Sequence, residues 1–501
     1  MTSTDLLPIA IIFGYIILIL VIAVIGSRKN KAVVDFLLSN RSLGPVLLAF
    51  SYTTTYFSSA AFLGGGGMGF LLGFQWSAFL FFFHVLFAVL AWALIAPKIK
   101  QFADLSGSMT ISEFLGRRYS SKALQLVSAL VFIFFMEFYL ISIFKGAGNI
   151  LQVLLEIPYS QALLIVAVPA LLYASIGGFR GNVAVSLLQG VLMISSALVL
   201  FGGILLRTGG WEGALSLLND VHLSGWGYGI SLLSFPGPAP SAVSAAGATI
   251  PYILSLTFAI SFAQMTSPHM VVQFYSARDA SVIRLGRAIA PILIAVFAFA
   301  VFFAGPLGWA VIYDPTALRQ CLANPDLVMP SIAVSVFGTG FGSFLLVSIL
   351  AAAMSTLAPI CIMLSGSLLR DVISAARPKA SQSVLALRLA TILFGVVPLL
   401  LALNPPDVIV GIVGVAFSAI SSAFFAPLIG GLYLKRSSRL GAIASVISAA
   451  LTCVIWQLFF YSNSFVYPII PGILVGALVY LAFSVKVVRN GSNVEPSLRV
   501  A

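Results

Sequence analysis

The chain has 501 residues, of which 60% are hydrophobic and only 8% charged, with a mean hydropathy of +1.11. Soluble globular chains carry about 25% charged residues, so soluble domains, a disordered scaffold, a disulfide-rich module and a nucleic-acid binder are all poor fits. The formal net charge of +12 is then read as cytoplasmic loops holding Lys and Arg rather than as a polyanion-binding surface. Cys321, Cys361 and Cys453 are too few and too scattered for a disulfide framework or a zinc site.

A membrane-spanning helix needs about 20 mostly apolar residues. Thirteen segments qualify, which predicts an all-α polytopic membrane protein: Leu7–Ile25, Val46–Gly64, Phe74–Ala96, Leu124–Phe144, Ala162–Ile176, Val183–Leu206, Ile250–Val272, Ala288–Tyr313, Phe341–Leu369, Val384–Leu403, Val408–Leu434, Leu440–Tyr461 and Ile469–Val485. The first lacks a basic leader and a small-residue cleavage site, and is expected to be retained rather than cleaved. Residues 207–249 read as a long external loop rich in Gly, Pro and Ser. The moderately apolar Pro325–Thr339 reads as an interfacial helix over an outer vestibule.

Basic residues test the orientation. Loops after odd-numbered segments hold 22 of them, including Arg28, Lys98, Arg180, Arg284, Arg370 and Lys435, against about 3 on the other side (Arg207, Arg319 and Lys145). Positive charge is retained in the cytoplasm, so the N-terminus is expected outside and the C-terminus inside a bacterial-type inner membrane.

Polar groups within hydrocarbon are costly and usually face a cavity or the bundle interior. The second segment carries Ser51-Tyr52-Thr53-Thr54-Thr55-Tyr56-Phe57-Ser58-Ser59, eight hydroxyls in nine residues, followed by Gly64-Gly65-Gly66-Gly67. One hydroxyl can bond back to its own helix; eight together are better explained by a water- or ligand-lined surface and a local helix break. Such a break offers carbonyls to a cation and N–H groups to an anion. Packing glue between helices is the alternative. The ninth segment carries Ala351-Ala352-Ala353-Met354-Ser355-Thr356-Leu357-Ala358-Pro359. Ala352 and Ser355 share a face, and Pro359 removes the N–H that would bond the Ser355 carbonyl. Hydroxyls and carbonyls without a carboxylate suit a weakly held Na+, whereas Mg2+ or Ca2+ more often takes acidic ligands.

These residues and several others resemble the sodium:solute symporter family, particularly its bacterial pantothenate permease-like members. The motifs are Asp35-Phe36 with Asn40-Arg41-Ser42-Leu43-Gly44, Tyr173-Ala174-Ser175-Ile176-Gly177-Gly178-Phe179-Arg180 with Gln189-Gly190, Ala353-Met354-Ser355-Thr356 with Arg370-Asp371, and Pro405-Pro406-Asp407. The resemblance implies a LeuT-like core of two inverted five-helix repeats. It divides the chain into a first helix and loop (1–45), a first repeat (46–206), an external loop (207–249), a second repeat (250–434) and two peripheral helices with a tail (435–501). It also implies a sodium site made by the carbonyls of Thr54, Phe57 and Ala352 and the hydroxyls of Ser355 and Thr356. The family commonly has Asp three residues before Gln189, along the inner ion path; Ser186 stands there in this chain.

Glu137 and Lys145 lie eight residues apart in the fourth segment, about 12 Å along a helix axis, too far for a direct pair. Lys145 is expected to snorkel to the outer interface. Glu137 is a coupling candidate with Ser186 and Gln189, able to take a proton or a cationic group, or to rest as a neutral hydrogen-bonded carboxyl. His84 reads as a packing residue, and His269 as a residue near an inner gate. Thr53, Ser58, Ala61, Gln75, Tyr252 and Gln264 are candidate solute contacts, and Trp76 reads either as a contact or as an interfacial anchor. No nucleophile–base set or phosphate-binding loop supports an enzyme or an ATP-driven pump. The expectation is a Na+-coupled symporter of a small organic solute, with a carboxylate such as pantothenate favoured by the resemblance, embedded in a lipid bilayer and without a nucleic-acid partner. An H+-coupled carrier, a solute sensor and a channel are the alternatives.

Overall fold

The computed structural model describes residues 6–28, 32–155, 157–220, 250–374, 383–434, 437–464 and 466–490. These residues form helices without a strand; Leu43 and Ala277 make an isolated bridge. The principal helices are α1 (Leu6–Ser27), α2 (Pro45–Tyr56), α3 (Ala60–Ser106), α4 (Lys122–Leu155), α5 (Tyr159–Thr208), α6 (Ile250–Thr266), α7 (Ala280–Leu307), α8 (Val328–Ser367), α9 (Val384–Leu401), α10 (Ile409–Tyr433), α11 (Arg439–Ile455) and α12 (Ile469–Asn490). Among the described residues nine helices are long and apolar enough to cross a membrane.

The thirteen apolar segments fall largely on helical residues, but the boundaries differ from those expected. The fifth and sixth segments join in α5, with a kink at Gly178, where φ is +56°. The second segment is divided between α2 and α3, and the third continues α3 beyond a kink at Gly73, where φ is +78°. A positive φ is open to glycine at little steric cost, so these kinks let one helical run change direction while hydropathy reads on without a gap. The external loop begins as a helix (Gly210–Asp220); the rest of it, 221–249, lies outside the described residues. The expected interfacial helix is continuous with α8 across another kink at Gly338.

Burial separates core from rim. The most apolar stretch of α8 is entirely buried and that of α10 is 89% buried, against 28% for α1 and α11. Around this centre α3 packs on α7, α5 on α8, α1 on α5, and α11 on α12.

Two core helices are interrupted, and the local sequence explains both breaks. In α2 three consecutive threonines weaken the helical preference. The helix ends at Tyr56, and Phe57 turns extended (φ −84°, ψ 100°). Ser58 then caps the next helix: its hydroxyl accepts from the Ala60 N–H at 3.1 Å, and its carbonyl accepts from the N–H groups of Ala61 and Phe62. In the second break, Pro268 forces Ser267 out of the helical region (ψ 131°) and starts the short helix Pro268–Val271.

The glycine run after the first break serves close packing. A Cβ added at Gly305 on α7 would lie 2.0 Å from the carbonyl oxygen of Gly66 on α3, a backbone contact that cannot rotate away. Gly305→Ala is therefore expected to cost about 1–3 kcal/mol through overpacking. Gly202→Ala, where nothing lies within 4 Å of the added atom, is expected to leave stability unchanged. Thermal unfolding of the two variants in detergent checks the difference.

Candidate functional site

The break in α2 leaves the Thr54 carbonyl to partners from elsewhere in the chain. Ser355 Oγ and Thr356 Oγ1, on α8, each donate to it at 3.0 Å. The same hydroxyls lie 2.9 and 3.3 Å from the Ala352 carbonyl. Two carbonyls and two hydroxyls from segments some 300 residues apart thus gather at one fully buried point. Phe57, the fifth expected ligand, stands where the helix opens, directly after Tyr56; no hydrogen bond to Ser355 or Thr356 joins it to the cluster. From the α5 side, Met193 Sδ lies 3.9 Å from Ser355 Oγ, and the Tyr173 hydroxyl donates to the Met354 carbonyl. Among the described residues no group of three His, Cys, Asp or Glu gathers elsewhere to hold a metal.

On the other side of the break lies a small cavity of about 20 Å3, room for about one water. It is walled by Tyr56, Ser58, Ala60, Ala61 and Gly65 around the break, by Leu80 and His84 farther along α3, and by Tyr139, Ile260, Phe302, Val410, Val413 and Phe417 from the surrounding helices. It is far smaller than a filled small-molecule pocket, but its lining has the same character, apolar with a few polar groups. Ser58 and Ala61 were expected here. Tyr56, His84 and Tyr139 were not.

His84 is a hydrogen-bonded hub, which corrects its reading as a packing residue. Its Nδ1 lies 2.7 Å from the Leu80 carbonyl and 2.7 Å from Ser261 Oγ, and its Nε2 lies 3.1 Å from the Tyr56 hydroxyl. Its ring stacks on Phe57 with centroids 5.6 Å apart. The signal was present in the sequence: a histidine in a Phe/Leu run is costly to bury unless its nitrogens find partners. Tyr139 donates to Ser58 Oγ at 3.2 Å, closing the wall opposite.

The remaining expected residues divide. Gln264 supports His84 by donating Nε2 to its carbonyl at 2.9 Å, behind the cavity rather than in its lining. Thr53 is buried, and its hydroxyl has no partner among the described residues. Gln75 and Tyr252 are not cavity residues: Gln75 is half-buried, and the Tyr252 ring packs against Tyr467. Trp76 is fully buried and donates to the Gly65 carbonyl at 3.1 Å, so it is no interfacial anchor. Gln189 donates to the Tyr15 hydroxyl on α1 at 2.7 Å, and Ser186 meets Asn182 at 3.4 Å, both on the α5 side of the core. Glu137 is partly buried, and neither carboxyl oxygen has a hydrogen-bond partner among the described residues. His269 bonds Ser267 through Nδ1 at 2.7 Å and lies beside Tyr139 and Phe417.

Lys145 does not snorkel outward. Its ammonium lies 2.8 Å from Asp326, which is 1% exposed, and donates to the Asp407 carbonyl at 2.9 Å. Asp326 also accepts from the first N–H of α10, at Ile409. Burial pushes the Asp326 carboxyl above the ordinary carboxylate range, and the adjacent Lys145 opposes that shift. One ion pair thereby ties α4, the approach to α8, and the start of α10. The sequence concealed it because the partner lies 181 residues away.

Three comparisons bear on these features. The model of the sodium:solute symporter family matches residues 36–449. The sodium/pantothenate symporter of Escherichia coli strain K12 is 28% identical over 484 residues, covering 93% of this chain and 94% of that one. The sodium/proline symporter of Staphylococcus aureus is 24% identical over 500 residues, covering 97% and 93%. Among solved structures, a substrate-bound, outward-open Na+-coupled sialic acid symporter superposes with a TM-score of 0.75 at 16% identity, covering 98% of this chain and 99% of that one. A nucleobase-cation-symport-1 family transporter in a closed conformation gives 0.56 at 12% identity, covering 92% and 96%. The fold is thus the LeuT-like inverted-repeat architecture of secondary transporters.

Removing one member of the Lys145–Asp326 pair strands the other charge in the protein. Lys145→Met is expected to cost about 3–5 kcal/mol, and the double variant with Asp326→Leu to recover most of it. Thermal unfolding of both in detergent checks the coupling.

Proposed function

This chain belongs to the sodium:solute symporter family, and we propose that it imports a small organic acid, pantothenate or a related monocarboxylate, by sodium-driven alternating access. The reading is carried by the meeting of Thr54 with Ser355 and Thr356. A hydroxyl is both donor and acceptor, so each can turn from the Thr54 carbonyl and present a lone pair to an entering cation. Sodium is the cargo there, held by the carbonyls of Thr54, Phe57 and Ala352 and the two hydroxyls. A set of neutral oxygens replaces its water without the strong hold of a carboxylate, so the ion can leave on the other side.

Coupling follows from the position of the break. Thr54 precedes it and Phe57 stands at it, while Ser58 and Ala61 follow it and line the small cavity that opens to take solute. An ion joining α2 to α8 fixes the break and with it the cavity wall, so the outward state with both sites formed binds ion and solute better than either partly formed state. A carboxylate suits the cavity because the N-terminal end of α3, with Ser58, Ala60 and Ala61, lines it and brings the positive end of the helix dipole to it. The apolar walls from Phe302, Val410 and Val413 suit the carbon body of such an acid.

We place the N-terminus outside and the C-terminus in the cytoplasm of a bacterial inner membrane, following the basic-loop asymmetry. The Ser186 position leaves the α5 side of the sodium route without a formal charge, and exit then relies on the hydroxyls and amides of Asn182, Ser186 and Gln189.

Proteoliposome uptake of labelled pantothenate tests the reading. An inward Na+ gradient is expected to drive accumulation. Ser355→Ala and Thr356→Ala are each expected to raise the half-saturating Na+ concentration at least about tenfold, the scale of one lost charge-assisted contact, with little change in unfolding temperature. Uptake indifferent to the Na+ gradient, or to both substitutions, sinks the sodium assignment.

A further inference from the structure

A second cavity, of about 610 Å3, opens between the end of α3 and the start of α7. That volume lies within the range of about 300–1,000 Å3 usual for ligand pockets. Its lining carries Lys100, Asp104, Arg284 and Arg287, three cations against one carboxylate. The carboxylate is already committed: Asp104 meets the Lys100 ammonium at 2.6 Å and the Arg41 guanidinium at 3.5 Å. Arg284 and Arg287 are exposed, and neither has an ion pair or hydrogen bond among the described residues. Three residues apart, they are neighbours on the surface of α7, and two guanidiniums side by side without an acid suit a phosphate group. Trp92 closes the inner wall. It is fully buried, and a Cβ added at Gly286 would lie 2.2 Å from its ring, so α3 and α7 are in close contact at the floor of the cavity.

The surface beside the arginines points to what carries the phosphate. Leu285, Ile292 and Phe299 recur every seven residues along α7, and all three are exposed. Residues seven apart return to nearly the same side of a helix, so they form one apolar stripe, about 21 Å long at 1.5 Å per residue. One leaflet of hydrocarbon is about 15 Å deep. Arg284 borders both features: it lines the cavity, while Leu285 beside it and Ala288 one turn on are exposed with the stripe. Leu105 adds exposed apolar surface on the α3 side of the mouth. A free phosphate uses only the arginines. A phospholipid uses the arginines and the stripe together, its charge at the helix end and its chains along the apolar face.

We propose that this cavity holds one anionic phospholipid, bridging α3 and α7. Its phosphate lies between Arg284 and Arg287, which donate to the phosphate oxygens, and Lys100 adds positive charge from the α3 side. Its acyl chains run along the exposed face of α7. Asp104 repels the phosphate only weakly, because Lys100 and Arg41 already offset its charge. A zwitterionic lipid brings its own ammonium group and gains less from two unopposed arginines, so the site selects for net negative charge.

Native mass spectrometry of the full chain in detergent, titrated separately with dioleoylphosphatidylglycerol and dioleoylphosphatidylcholine, tests the proposal. The first phosphatidylglycerol is expected to bind at least about tenfold more tightly than phosphatidylcholine, the scale of two basic residues acting on one anionic lipid. In Arg284→Gln/Arg287→Gln that preference is expected to fall below about twofold, with the lipid-free unfolding temperature unchanged. In Lys122→Gln/Arg439→Gln, which removes exposed cations from the starts of α4 and α11, the preference is expected to stay. Glycerophosphoglycerol, the same headgroup without chains, is expected to displace the lipid only at concentrations at least about a hundredfold higher, since it buries no acyl chain. A wild-type preference below about twofold, or one that survives Arg284→Gln/Arg287→Gln, overturns the proposal. So does a preference lost as fully in Lys122→Gln/Arg439→Gln. Displacement by glycerophosphoglycerol or inorganic phosphate at the lipid's own concentration also overturns it, as the mark of a soluble-anion site. If the double glutamine variant does not fold, Arg284→Gln and Arg287→Gln are each expected to lose at least about threefold of the preference, and no loss in either overturns the proposal.

Discussion

The structure depends on a backbone carbonyl that its own helix does not use. When α2 stops at Tyr56, the Thr54 oxygen loses its place in the helical ladder and, fully buried, must find donors elsewhere. Ser355 and Thr356 supply them from α8. A buried carbonyl left unsatisfied costs about 1–3 kcal/mol, so the two helices are held together by necessity and not only by packing. Under the proposed sodium coupling the same bond is exchangeable, a cation taking the place of the hydroxyl protons, so that a structural need created by a helix break and the proposed ion site share the same oxygens.

Formal charge is kept away from this centre and used at its margins. Lys145 and Asp326 join α4, α8 and α10 at one end of the bundle. Arg370 and Glu113 pair at 2.6 Å at the other, with Asp371 accepting from Thr110 and Gln125 beside them. Between the two clusters lie the gathered oxygens of Thr54, Ala352, Ser355 and Thr356 and the cavity, both built without Asp, Glu, Lys or Arg. In a low-dielectric interior, a fixed charge would hold an ion or solute too strongly for release. Neutral dipoles in the middle and ion pairs at the ends suit the proposed transport, with a releasable hold at the centre and a frame that keeps its shape.

Much of this was legible in the sequence, and the exceptions share a cause. Composition fixes the membrane class, and hydroxyl density picks out the stretch around Thr54, because eight hydroxyls in nine residues have few uses in hydrocarbon; the stretch around Ser355 stands out by its small residues, two hydroxyls and Pro359, and the family resemblance is what pairs the two. Helix divisions were misread wherever a glycine at positive φ let the chain bend without interrupting its hydropathy, as at Gly73 and Gly178. Single polar residues were harder. Lys145 and His84 each look like an isolated polar group in an apolar run, and each was assigned an ordinary role; what gives them meaning is Asp326 and the Tyr56–Ser261 pair, which lie far off in sequence. Gln75 and Tyr252 do not line the cavity, and the Tyr252 ring shows why a polar side chain in an apolar segment is hard to place: it packs on Tyr467 instead.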